Sequence, residues 1–320
     1  DEIKRTYKEG RQTILFLNRR GFSYFFHCRT CGYEMKCKNC SVSLTYHKNR
    51  DSMICHYCGY RTDPVDVCPE CGSLDIGYAG FGTEKIEEEV RRTFPDLTIS
   101  RVDSDTVKKR GALKNILDRF RNGEIDILLG TQMVAKGLNF PGVKLIGVVL
   151  ADTGLHLPDF RSAERTFSLI VQVSGRAGRF APDGKVFIQT YKPENPAIKL
   201  ASQADMEGFY EWELSSRQML DFPPFSRIFR IVFRGKNKRR TEQCIDKFCA
   251  MLRGEGERYA ELLGPAECPL SVISGNYRFQ LIARATSFSD FHRVLTTTSA
   301  GFTLPQGVYI EIDVDPVSLL

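Results

Sequence analysis

The chain of 320 residues has a single tryptophan, and no apolar run in it approaches the ~18–20 residues that a membrane span needs. No basic-then-apolar leader opens it, so it reads as soluble and cytoplasmic, with no membrane partner. Internal repeats and low-complexity tracts are absent. With 42% hydrophobic and 26% charged residues, disordered, collagen-like and fibrous classes are excluded. Charge of one sign is also scarce: 45 Lys and Arg against 39 Asp and Glu leave +6, which is compatible with a polyanionic partner without demanding one. A phosphate loop of the form Gly-x-x-x-x-Gly-Lys-Ser/Thr is missing, because Gly82-Thr83-Glu84-Lys85 has the wrong order and spacing.

Cysteine is what the chain has in excess. Of 11 cysteines, eight fall between Cys28 and Cys71 as four CxxC pairs: Cys28/Cys31, Cys37/Cys40, Cys55/Cys58 and Cys68/Cys71. Two thiolates three residues apart turn onto one tetrahedral Zn²⁺, and two pairs close a structural site, so eight ligands imply two structural zincs. Gly32, Gly59 and Gly72 directly follow three of the pairs and suit the positive φ of a tight knuckle. A disulfide framework is disfavoured in a large chain without a signal peptide. The 14 residues between Cys40 and Cys55 approach the usual ribbon spacing, which makes Cys37, Cys40, Cys55 and Cys58 an inner site. Cys28, Cys31, Cys68 and Cys71 are then an outer one, although sequential and interleaved pairings satisfy the same ligand count. His27, His47 and His56 are expected at the surface, and Cys244, Cys249 and Cys268 as buried thiols.

Hydrophobic patterning around the cluster alternates between strand and helix. Thr13 to Leu17 reads as a buried strand, and strands follow near 98–102, 125–129, 143–150 and 185–190, with helices near 83–92, 111–121 and 163–173. That alternation predicts a parallel α/β sheet covered on both faces. The chain from 219 differs: strand, helix, two strands, helix, strand is the order of an α+β ferredoxin-like domain. The expected organisation is therefore 1–24 and 80–218 as one α/β lobe, 25–79 as a zinc-binding insertion, and 219–320 as a C-terminal domain.

Loops after strand ends carry function in such sheets, and the expected ones here are unusual. One runs Gly130-Thr131-Gln132-Met133-Val134-Ala135-Lys136-Gly137-Leu138-Asn139-Phe140-Pro141, and another Gln172-Val173-Ser174-Gly175-Arg176-Ala177-Gly178-Arg179. The first resembles motif V and the second motif VI of superfamily 2 helicases. Phe16-Leu17-Asn18-Arg19-Arg20-Gly21-Phe22, Asp159-Phe160-Arg161-Ser162-Ala163-Glu164-Arg165 and Asp313-Val314-Asp315-Pro316 extend the likeness. Together with the nested CxxC pairs, they make the chain similar over essentially its whole length to the replication-restart helicases of that superfamily.

The resemblance implies a RecA-like second helicase lobe from an ATP-dependent 3′→5′ DNA helicase that recognises stalled or branched forks and promotes primosome assembly. It makes Arg179 the finger on the γ-phosphate of ATP, with Arg176, Gln172, Gly137 and Gly175 lining the nucleotide cleft, and it sets Thr131 and Lys136 on the DNA backbone. Asn139 stands where that family often has a carboxylate, so no charge-dependent role follows for it, and Asp152 is expected to be a strand-end turn residue. Besides the phosphate loop, an acidic box for Mg²⁺ is missing. Both would lie on a first lobe preceding this sequence, so the expectation is a fragment inactive alone. ATP and Mg²⁺ would enter only the longer enzyme. Forked, single- and double-stranded DNA, primosome proteins and single-strand-binding proteins are the implied partners.

Residues 25–79 hold six basic and six acidic side chains, and two zincs on eight thiolates would bring the module to a net −4. A wedge or a protein-docking role suits it better than a grip on DNA. Tyr33, Tyr46, Tyr57 and Tyr60 suit small-core packing. Arg234-Gly235-Lys236-Asn237-Lys238-Arg239-Arg240 forms a basic turn, either simply solvated or in contact with phosphates through Lys236, Lys238, Arg239 and Arg240. The competing class is a zinc-dependent adaptor without a motor, which would have no use for the paired motifs.

Overall fold

The computed structural model describes residues 1–17, 26–38, 43–47, 50–56, 58–78, 83–102, 107, 111–131, 140–155, 157–177 and 183–319. Helix α1 (Glu2–Lys8) leads into strand β1 (Gln12–Leu17), all six of whose residues are buried. That pattern marks a central strand covered on both faces. Ile14 and Phe16 point into one core with Val102, Leu128, Ile146 and Val148, while Leu15 and Leu17 join Ile99, Ile127 and Leu129 on the other side.

The cysteine-rich segment contributes short strands only: β2 (His27–Cys28), β3 (Thr45–His47), β4 (Ser52–Ile54), β5 (Arg61–Thr62) and β6 (Ile76–Gly77). β2 pairs with β6, and β3, β4 and β5 form an antiparallel ribbon between them in sequence. The lobe then resumes with α2 (Thr83–Thr93), β7 (Ile99–Val102), α3 (Ala112–Arg121), β8 (Ile127–Gly130), β9 (Val143–Val149), α4 (Ser162–Ala177) and β10 (Lys185–Ile188). The strands form one parallel sheet in the order β10-β9-β1-β8-β7. The chain leaves β1 toward β7 and leaves β9 toward β10, so the sheet's switch point lies between the carboxyl ends of β1 and β9. The cysteine-rich segment departs from that point.

Two helices not anticipated from the sequence follow, α5 (Pro196–Ser202) and α6 (Met206–Met219), and Phe167 of α4 stacks on Phe209 of α6 with ring centroids 3.9 Å apart, which locks the two helices together. Their starts were readable: Asn195 caps α5 ahead of Pro196, and Asp205 caps α6 through the Gly208 N–H.

The last part is β11 (Arg227–Gly235), α7 (Lys238–Leu252), β12 (Ala260–Ile273), β13 (Asn276–Ala285), α8 (Phe288–Gly301) and β14 (Val308–Val314). All strand pairs are antiparallel in the order β12-β13-β11-β14, as the ferredoxin-like expectation requires. One core holds the cysteine-rich segment against this domain, combining Phe26, Leu44, Met53 and Cys55 with Phe222, Ile228, Leu263, Ile282 and Leu319. Among the described residues no helix is long and apolar enough to cross a membrane.

Candidate metal centres and helicase-motif residues

The knuckle glycines adopt the conformation their positions demand. Gly32, Gly59 and Gly72 have φ of +72°, +77° and +71°, and each N–H reaches back 2.9 Å to the carbonyl of the first cysteine of its pair. The turns bring the sulfurs of Cys28, Cys31, Cys68 and Cys71 within 4.8 Å of one another, and likewise those of Cys37, Cys55 and Cys58. Cys40 lies outside the described residues. The Sγ separations are 3.6 Å for Cys28–Cys71, 3.7 Å for Cys31–Cys68 and 3.6 Å for Cys37–Cys58. Tetrahedral thiolates on zinc at ~2.3 Å require about 3.8 Å between sulfurs, so the donor sets fit that ion.

Electrostatics leads to the same conclusion. Burial disfavours the Cys28 thiolate, but the N–H groups of Cys31 and Thr30 and the Cys71 sulfur outweigh it, bringing Cys28 down to about 6. Burial and the neighbouring sulfurs push Cys31 up to about 12. Four thiols this close cannot all ionise unless a cation compensates them.

Two of the three histidines depart from expectation, while His47 is half-buried. His27 and His56 are buried rather than at the surface, because each is pinned by a neighbouring element. His27 lies across Gly77, where an added Cβ would stand 2.6 Å from its ring. His56 sits where the cysteine-rich segment meets the C-terminal domain: its Nδ1 lies 2.7 Å from the Glu267 carbonyl, and its own carbonyl accepts from Gln280 Nε2 at 2.9 Å. Burial pulls its pKa down to about 4, so the ring is neutral, with Nδ1–H donating to Glu267. Beside it Arg50 and Lys238 approach the Glu267 carboxylate at 2.9 and 2.8 Å. Burial opposes that charge, but the two cations prevail and hold Glu267 at about 2. Cys244, Cys249 and Cys268 are buried, as expected, and Tyr33, Tyr46 and Tyr60 pack into the shared core. Tyr57 lies outside the described residues.

The helicase-motif residues are only partly described. Lys136, Gly137, Asn139 and Arg179 fall outside the described residues, as does the Arg176 side chain. Thr131 follows the carboxyl end of β8. Gln172, Gly175 and Arg176 do not occupy a loop beyond a short helix. They continue α4 through its last turns, on the helix that returns the chain from the carboxyl end of β9 to the amino end of β10. The expected common edge with Thr131 is therefore corrected, since a parallel crossover must carry the helix backwards. Gln172 and Gly175 are exposed, and the space above Gly175 is open. Asp152 is a strand-end residue: its carboxylate accepts from Thr190 Oγ1 at 2.8 Å and from the Tyr191 N–H at 3.0 Å.

The basic turn is not one feature. Lys238, Arg239 and Arg240 belong to the first turn of α7, capped by Asn237, whose side chain accepts from the Arg240 N–H. Lys238 is bound to Glu267 and Arg234 to Glu311, whereas Lys236 and Arg239 stand exposed.

A partly buried ion-pair network around α4 was not legible in the sequence. Arg217 of α6 donates to Glu164 at 2.6 Å and Glu213 at 2.7 Å, and Asp159 pairs with Arg165 at 2.9 Å. The spacing of acidic and basic residues in Asp159–Arg165 was the available signal.

Family models match three separate stretches of the chain. The PriA DNA helicase Cys-rich region domain matches residues 37–62, the helicase conserved C-terminal domain matches 80–181, and the primosomal protein N C-terminal domain matches 218–317. Replication restart protein PriA of Treponema pallidum is 49% identical over all of this chain and 49% of its own length. The chain belongs with the C-terminal half of PriA. PriA of Borreliella burgdorferi is 41% identical over 99% of the chain and 48% of its own length, and that of Bacillus subtilis 38% over 100% and 40%. The chain thus spans about half the length of these PriA relatives. Among solved structures, the Pyrococcus furiosus Hef helicase domain is similar at 17% identity and a TM-score of 0.30, over 63% of this chain and 27% of that one.

Proposed function

We propose that the chain is the second motor lobe, zinc module and C-terminal domain of an ATP-dependent 3′→5′ DNA helicase acting at stalled or branched forks. The whole-length similarity to replication restart proteins carries this reading. On it, 1–24 and 80–218 form the lobe, 25–79 the zinc module and 219–320 the domain that meets DNA or primosome and single-strand-binding proteins. Cys28, Cys31, Cys68 and Cys71 hold one structural zinc, and Cys37, Cys40, Cys55 and Cys58 hold the other. Zinc supplies no chemistry to ATP turnover. It ties short strands into a rigid wedge that has no net positive charge.

Arg179, with Arg176 and Gln172, faces the γ-phosphate of ATP held with Mg²⁺ on a first lobe. There a guanidinium stabilises charge spreading over the transferred phosphoryl group. Gly137 and Gly175 leave room for the nucleotide, and Thr131 and Lys136 touch the DNA backbone. The test is DNA-stimulated ATP hydrolysis. The 320-residue chain alone is expected to be inactive, the full-length protein active, and its Arg179→Ala form reduced about 10³-fold or more. Turnover by the isolated chain, or an unaffected Arg179→Ala enzyme, would overturn the assignment.

A further inference from the structure

Two sequence runs far apart in the chain, Asp159–Arg165 and the segment after β14, meet in the structure. The chain turns out of β14 at Asp315, whose φ is 49°. Its N–H donates to the Ile228 carbonyl at 2.7 Å and its Oδ1 accepts from the Ile228 N–H at 3.1 Å, so the turn is fixed to β11. The residues beyond it run between the α/β lobe and the C-terminal domain, and an arginine takes each successive carbonyl. Arg161 Nη1 donates to Pro316 O at 2.7 Å, Arg165 Nη2 to Val317 O at 2.6 Å, and Arg230 Nη1 to Ser318 O at 3.3 Å. The Leu319 N–H donates to Asp159 Oδ2 at 3.1 Å, and the Leu319 side chain is fully buried in the core shared by the C-terminal domain and the cysteine-rich segment.

Asp159 is only 1% exposed, and its carboxylate is filled by Leu319 N–H, Arg161 N–H and Arg165. Desolvating such a carboxylate is costly, and an apolar contact would hold the two parts together as well. What the polar arrangement adds is register, because each bond fixes one backbone atom of the strap. Further contacts hold the same turn. Phe160 stacks on Phe222 at 4.8 Å, and Arg217 joins Glu164 in the first turn of α4. The gripped turn and the motif run Gln172–Arg176 are opposite ends of one continuous helix, whose 16 residues span about 24 Å.

We infer that Asp159, Arg161 and Arg165 are positioning residues: by gripping the strap they tie the orientation of α4, and so of Gln172, Gly175 and Arg176, to the C-terminal domain. A shift of that domain on its ligand is carried by a rigid helix to the nucleotide-facing residues. The nucleotide part rests on the function proposed above; the mechanical part does not.

Two measurements separate them. In the zinc-loaded 320-residue chain, Asp159→Asn and Arg161→Leu should each speed amide exchange at 172–177 about tenfold, within the range of coupling through packed elements. Arg161→Lys, which can still donate to Pro316 O, should restore it. Acceleration confined to 159–166 and 315–319 would overturn the coupling. In the full-length protein, Arg161→Leu should lower the kcat of DNA-stimulated ATP hydrolysis about tenfold, with the KM for ATP and the zinc content unchanged. Unchanged kcat alongside accelerated exchange would overturn the positioning role. A full-length wild type without ATPase activity would instead sink the helicase reading, and the exchange result would still decide the coupling.

Discussion

Two knuckle glycines separate what the cysteine centres need locally from what they need of their surroundings. Gly32 and Gly72 share a positive φ, but a Cβ at Gly72 meets nothing within 4 Å, whereas at Gly32 it would lie 2.7 Å from Lys192 Cγ and 3.1 Å from Tyr191 Cβ. Gly72→Ala should therefore cost only the left-handed penalty, about 1 kcal/mol. Gly32→Ala should cost about 1 kcal/mol more, because the backbone-anchored Tyr191 Cβ cannot give way. Urea denaturation with the zinc content measured in parallel reads both, and equal losses would refute the packing argument.

Glu267 gives a pH-dependent counterpart. Its carboxyl is held at about 2, below the unfolded value of ~4.3, so its contribution is fully present above the unfolded pKa and is lost as pH falls through the folded one. Glu267→Gln should destabilise the protein by about 2 kcal/mol at pH 7. The gap from wild type should narrow as pH falls below about 4.3 toward 2, and taking it as a difference removes acid effects common to both proteins. A gap constant across that window would show that Arg50 and Lys238 do not act on the charge.

At the scale of elements, the cysteine-rich segment has strands of only two or three residues, too short to persist by ladder bonds alone. Chelation should unravel β2 to β6 and expose Ile228, Leu263 and Ile282, while the parallel sheet keeps its own two cores. The expected result is amide exchange in 26–78 rising to near-unfolded rates with the β1 and β8 amides still protected. A simultaneous loss of both would show that the lobe depends on the metal.

Sequence patterning captured that sheet and the β-α-β-β-α-β order because both rest on local periodicity. It failed where tertiary contacts override a local signal. Strand β12 runs through Gly264-Pro265 with a register shift between Leu263 and Ala266, set by its pairing with β13. The hairpin turn is Ser274-Gly275, both at positive φ, with Ile273 paired to Asn276. Helix α7 starts at Lys238, inside the basic run. Three cations in a first turn oppose the helix dipole, and Glu267, far away in sequence, offsets the first of them, Lys238. Spacing favoured the nested cysteine grouping without excluding sequential or interleaved pairing, which only the approach of the sulfurs distinguishes. The burial of His56 was not legible, since its partners come from β12 and β13.

For the molecule as a whole, a net charge of +6 does not identify a DNA surface, and the fold changes which cations are free to make one. Of the four basic residues expected to meet phosphates, Lys238 is already bound to Glu267 and Arg240 leans on the Gln306 carbonyl. Lys236 and Arg239 remain exposed beside them. Each phosphate neutralised releases counterions and adds about 0.9 to the slope of log affinity against log salt on duplex DNA. Lys236→Ala with Arg239→Ala should therefore flatten that slope by about 2, measured by fluorescence anisotropy on forked DNA between about 50 and 200 mM salt. Lys238→Ala should barely change the slope and should instead lower stability, because it leaves Glu267 with Arg50 alone. If the double variant binds with an unaltered slope, the turn is merely solvated and the DNA path lies elsewhere on the chain. If Lys238→Ala flattens the slope as much as either exposed residue, the ion pair with Glu267 opens on binding and the interface between the zinc module and the C-terminal domain rearranges on DNA.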